Sequence, residues 1–118
     1  PEAPTTADNL RRGIELAEQA GREVLATDGL ELLSAPSLGI LCFRYRPGGA
    51  EWSAERVEEL NKSLQAQVIA SGTAMISSTR LRGTYSLRLC IMSHQTTWED
   101  VRATIELIAG HGRRLAGA

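Results

Sequence analysis

Lysine is nearly absent from this sequence: Lys62 is the only one, so the basic charge rests on arginine. Over 118 residues the formal net charge is −1. That balance removes any general electrostatic case for binding nucleic acid or an anionic membrane surface. No apolar run is long enough to cross a bilayer, and no secretory signal pattern is present. Cysteine is scarce as well. Cys42 and Cys90 both fall in apolar strand patterns and read as small buried hydrophobes. Two cysteines and two distant histidines supply neither a disulfide framework nor a zinc set, so no metal site is expected. A reducing, cytoplasmic setting fits this usage. A Gly-rich phosphate loop, a nucleophile elbow, internal repeats and low-complexity tracts are also missing. No catalytic residue set is complete within these residues.

What remains is one domain's worth of chain, large enough for a core but too short for two. Residues 1–7 read as a flexible lead-in and 8–118 as the domain. The first residues, P-E-A-P-T-T, carry no initiator methionine, so the chain is expected to be a piece of something longer. A helix is predicted from Asp8, as N-cap, to Ala26, with Leu10, Ile14, Ala17, Gly21 and Val24 as its apolar stripe. Residues 30–35 make a short strand ended by Pro36, and 38–46 (L-G-I-L-C-F-R-Y-R) a stronger one. A second helix follows Ser53, with Val57, Leu60, Leu64 and Val68 on one face and Ser71-Gly72 as its stop. Residues 74–81 and 85–93 form a hairpin around Arg82-Gly83-Thr84. A third helix starts at T-T-W-E-D with Thr97 and Asp100 in capping-box spacing, and frays at Gly110 and Gly112. The order α-β-β-α-β-β-α predicts an α+β fold: an antiparallel sheet with helices on one face.

Within Y-S-L-R-L-C-I-M-S (85–93), alternation puts Tyr85, Leu87, Leu89 and Ile91 on one face and Ser86, Arg88, Cys90 and Met92 on the other. A strand-centre guanidinium needs an acid, water or a partner surface. Arg88 is therefore either paired to a nearby glutamate or exposed at an edge, or it is a bidentate anchor for a substrate carboxylate. His94 stands between strand and helix, as a strand-end ligand or as an exposed loop histidine. Arg80 and Arg82 read as charges guarding a sheet edge, and Lys62 as the surface ion-pair partner of Glu58 one turn earlier.

The blocks L-G-I-L-C-F-R-Y-R-P and G-T-Y-S-L-R-L-C-I-M-S-H-Q-T-T-W-E-D-V, in this order and separation, resemble a known family. They are similar to the C-terminal small domain of the group II pyridoxal-phosphate-dependent amino-acid decarboxylases, which include the aromatic-amino-acid and glutamate enzymes. The likeness runs from about Leu10 to His111. It implies a fold-type-I enzyme: a large cofactor-binding domain, this small domain, and a homodimer with active sites at the subunit interface. It also implies that Arg88 lies on the carboxylate side of the amino-acid substrate, and His94 is kept as a second candidate for substrate binding. The family's cofactor lysine follows a histidine in the large domain, and no His-Lys pair occurs here. The resemblance thus implies a parent carboxy-lyase whose pyridoxal phosphate is held elsewhere, and a fragment inactive by itself. A stand-alone module for small carboxylates and a pure interaction domain are the competing readings.

Overall fold

Thr5 and Asp8 open the first helix as a reciprocal capping box. The Asp8 amide donates to Thr5 Oγ1 at 3.1 Å and the Thr5 amide to Asp8 Oδ2 at 3.2 Å. The structure, a computed structural model, describes residues 5–48, 51–73, 75–91 and 95–117. Helix α1 spans Thr6–Ala26, so Thr5, and not Asp8, is its N-cap. Asp8 sits at the third helical position instead, where its carboxylate receives the free cap amide. Those hydrogen bonds hold the Asp8 carboxyl below its usual range.

The buried face of α1 is Gly13, Leu16, Ala17, Ala20, Gly21 and Val24. It shares Ala17, Gly21 and Val24 with the expected stripe, whereas Leu10 is exposed and Ile14 half-buried. The phase differs because glycines set the contact. A Cβ at Gly21 would lie 2.8 Å from Pro36 Cγ, and one at Gly13 would lie 2.8 Å from the Ile91 carbonyl oxygen.

Strands β1 (Leu30–Ser37) and β2 (Ile40–Tyr45) pair antiparallel, with register irregularities either side of Ser34. Pro36 does not end β1, because β1 is an edge strand, where proline is tolerated. Leu38 and Gly39, expected in the second strand, form the connecting turn with positive φ at both positions. Helix α2 (Ala54–Ala70) starts at Ser53, whose hydroxyl accepts from the Arg56 amide at 3.1 Å. Its expected stripe of Val57, Leu60, Leu64 and Val68 is buried, and Gly72 follows its end at φ 92°. Strands β3 (Ile76–Leu81) and β4 (Thr84–Cys90) are joined by the two-residue turn Arg82-Gly83. Positive φ at both turn residues is the shape that matches strand twist.

Helix α3 (Trp98–Gly117) opens on the predicted Thr97–Asp100 capping box. It does not fray at Gly110 and Gly112. Gly112 is buried against the Tyr45 ring, where any Cβ would collide, so this glycine is a packing device rather than a stop.

The four strands form one antiparallel sheet in the order β1-β2-β4-β3, confirming the predicted class. Helix α1 packs on β1 and β2, α2 on β2, β3 and β4, and α3 against both helices. Leu41, Phe43, Leu87 and Leu89 of the central strands are buried under these helices with Leu64, Val24, Ile105 and Ile108. Asn61 lies in the same interior and bonds both backbone groups of Tyr45.

Ion pairs tie α2 to the hairpin. Arg80 forks onto Glu58 with its two terminal nitrogens at 2.9 and 2.8 Å, and Lys62 approaches the same carboxylate at 3.1 Å. The two cations lower the Glu58 carboxyl from 4.5 to about 2. Protons therefore bind the unfolded chain more readily, and the stabilisation present above pH 4.5 is lost as pH falls toward 2. Substituting Glu58→Gln should flatten the acid limb of a stability-against-pH curve in that interval. An unchanged limb in urea unfolding would refute the assignment.

Candidate functional site

Cα register places Ser77, Arg88 and Cys42 side by side across β3, β4 and β2, with Ser34 of β1 next in the row. Because Leu87 and Leu89 face the helices, this row lies on the opposite, outward face of the sheet. Two register positions along, Glu31 lies opposite Arg44 on the same face, and the Arg44 Nε donates to Glu31 Oε1 at 2.6 Å. Ser86 is fully buried and its hydroxyl donates to the Leu87 carbonyl at 3.0 Å.

Arg88 is half-buried and, among the described residues, has no side-chain hydrogen bond or ion pair. The reason is local. Glu31, on the same face, is taken by Arg44, while Glu58 stands on α2, across the sheet from Arg88. The residues opposite Arg88, Cys42 and Ser77, are small and uncharged, so none of the described residues neutralises the guanidinium. The paired alternative is thereby not what these residues form. The fork stands among short side chains.

Cys42 and Cys90 are free thiols on this outward face. Cys42 is buried as expected, but Cys90 is half-buried, and neither joins the apolar cluster beneath the helices. His94, the other expected substrate-binding residue, lies outside the described residues. Arg82 caps the hairpin, while Arg80, read as an edge guard, is the structural fork onto Glu58. That pairing escaped the sequence because 22 residues separate its members.

The other histidine, His111, joins α2 to α3. Its Nδ1 lies 2.8 Å from Gln67 Oε1, which also accepts from Arg114 Nη2 at 2.5 Å. Burial, and then the Arg114 charge, hold the His111 imidazole below its usual pKa. It touches nothing on the Arg88 face.

A linking lysine for pyridoxal phosphate would have to be Lys62, and its surroundings do not fit. It is exposed on α2, paired to Glu58 at 3.1 Å and Glu59 at 3.9 Å. The cavity bounded by those two residues, about 230 Å³, is walled by Ala54, Glu55, Glu58 and Glu59, which repel a phosphate. No group of three metal-ligating side chains occurs among the described residues, and none of their helices is long and apolar enough to cross a membrane.

No protein-family model matches the chain. Curated relatives do. It is 35% identical over 89 residues to the aromatic-L-amino-acid decarboxylase of Bacillus atrophaeus, covering 75% of this chain and 18% of that protein. It is 27% identical over 106 residues to the L-2,4-diaminobutyrate decarboxylase of Acinetobacter baumannii, covering 90% of this chain and 20% of that one. The chain belongs to the group II pyridoxal-phosphate-dependent amino-acid decarboxylases. Among solved structures, the Oryza sativa TDC with PLP and tryptamine superposes with a TM-score of 0.81 at 25% identity, over 90% of this chain and 23% of that one. Tryptophan decarboxylase of Catharanthus roseus, in complex with L-tryptophan, gives a TM-score of 0.78 at 26% identity, over 91% and 22%. The chain thus spans about a fifth of the length of the curated relatives it matches.

Proposed function

We propose that residues 8–118 are the C-terminal small domain of a pyridoxal-phosphate-dependent amino-acid decarboxylase, supplying the wall that faces the substrate carboxylate. The observation that carries this reading is Arg88, a half-buried guanidinium in mid-sheet with no side-chain partner among the described residues. A planar fork of donors matches the two oxygens of a carboxylate in a way an ammonium does not. The relatives are named for aromatic amino acids and for diaminobutyrate, whose side chains have little in common. Their shared group is the amino-acid carboxylate, and that is what one fixed arginine can read. Side-chain selectivity then belongs to the other four-fifths of the enzyme and to the second subunit of a homodimer in the cytoplasm.

In this reading the cofactor is held by the large domain of the same polypeptide, with His94 near the carboxylate, and the 118-residue chain is inactive alone. The acidic surroundings of Lys62 support that division. Titrating the isolated chain with pyridoxal phosphate and an amino acid should give no cofactor absorbance and no release of carbon dioxide beyond those of the same mixture without protein. The full-length protein should show both. Cofactor absorbance or carbon dioxide from the isolated chain would overturn the proposal.

A further inference from the structure

Two of the large exposed apolar side chains among the described residues, Leu10 (53% exposed) and Leu38 (64% exposed), border the same groove. It measures about 270 Å³ and is lined by Thr6, Asn9, Leu10, Gly13, Leu38 and Ile91, with no charged residue. Leu38 also occupies the left-handed region, at φ 51°, as the first residue of the two-residue turn Leu38-Gly39. This turn shape favours asparagine or aspartate at that position, because a Cβ with a branched side chain is strained there. A leucine that is both strained and in water is doubly unfavourable in the isolated chain. Backbone strain of that kind is retained where a contact made elsewhere compensates.

The platform beneath Leu38 is rigid. Ile91 donates its amide to the Gly39 carbonyl at 2.8 Å. A Cβ at Gly39 or at Gly13 would come within 2.8 Å of the Ile91 carbonyl oxygen, so α1, the turn and the end of β4 meet backbone to backbone. Leu38 is held out as a fixed apolar knob beside an uncharged groove.

We propose that the Leu10–Leu38 groove is the seat on which the larger part of the decarboxylase polypeptide docks, through an apolar segment of its own. This inference rests on the reading of the chain as one domain of a larger enzyme. The relatives carry about four-fifths of their length outside the matched region, and that remainder must contact this domain somewhere. An uncharged groove with a preformed apolar knob suits a permanent intrachain contact, since burial of the knob needs no charge partner.

The test uses Leu38→Cys in a Cys42→Ser, Cys90→Ser background, alkylated with iodoacetamide in the full-length protein and in the 118-residue chain. Docking predicts labelling about tenfold or more slower in the full-length protein, because the site must open first. Leu10→Cys, on the exposed side of a helix, gives the same comparison if the turn variant folds poorly. Equal rates in the two proteins would overturn the inference. Protection in the 118-residue chain that grows with its concentration would assign the groove to a second copy and also overturn it. Cofactor absorbance and carbon dioxide release of the full-length protein test the parent reading separately. With both present and rates equal, only the docking inference falls; with both absent, the two fall together.

Discussion

Replacing Asn61 by alanine is expected to cost about 3–5 kcal/mol of stability, as much as truncating a large apolar side chain of the core. Asn61 is fully buried between α2 and the sheet. Its Oδ1 accepts from the Tyr45 amide at 2.8 Å, and its Nδ2 donates to the Tyr45 and Val57 carbonyls, each at 2.8 Å. Truncation strands the amide and the carbonyl of Tyr45 without water, each at about 1–3 kcal/mol, and leaves a void besides. Leucine would refill the volume yet leave both backbone groups unpaired, so Asn61→Leu should be nearly as damaging. With domain stabilities of about 5–15 kcal/mol, either variant should shift the urea midpoint far without changing the slope. A loss below about 1 kcal/mol would mean that water replaces the amide and that the interior is less dry than it is drawn.

Asn61 also shows where sequence reasoning stops. The helix stripe of Val57, Leu60, Leu64 and Val68 and the alternation of β4 follow from local periodicity, and both are observed. The capping boxes at Thr5 and Thr97 are equally local, although at the first an aspartate suited to an N-cap, Asp8, stands three residues after the true cap. A buried asparagine on a helix has no such signature, because its partner is 16 residues away on another element. The same holds for Gly112, which looks like a helix breaker until the Tyr45 ring is set against it. Gly13 looks neutral until the Ile91 carbonyl arrives. Each of these contacts fixes how closely two elements approach, and that distance is a property of the assembled fold. Arg88 was visible as a cation in mid-strand. Its lack of a partner among the described residues was not, since that depended on Glu31 turning to Arg44 and on Cys42 and Ser77 standing opposite.

On the proposed reading, Arg88→Ala in the full-length protein should lower kcat/KM by about 10²–10³-fold, equivalent to roughly 3–4 kcal/mol, the value of a bidentate charge-assisted contact. Three readouts separate this role from a structural one. First, the cofactor's absorbance should be unchanged, because no residue of this chain fits its linkage. Second, the fold should be no less stable. Arg88 has no side-chain partner among the described residues, so removing a half-buried guanidinium should alter unfolding by no more than about 0.5 kcal/mol. An arginine serving the fold, as Arg80 does on Glu58, would weaken it measurably. Third, Arg88→Lys should recover only part of the loss, because an ammonium restores the charge without the paired, coplanar donors. Full rescue by lysine would reduce Arg88 to a source of positive potential. Full activity in the alanine variant would remove it from the substrate site, and loss of cofactor absorbance would place its role in holding the domains together instead.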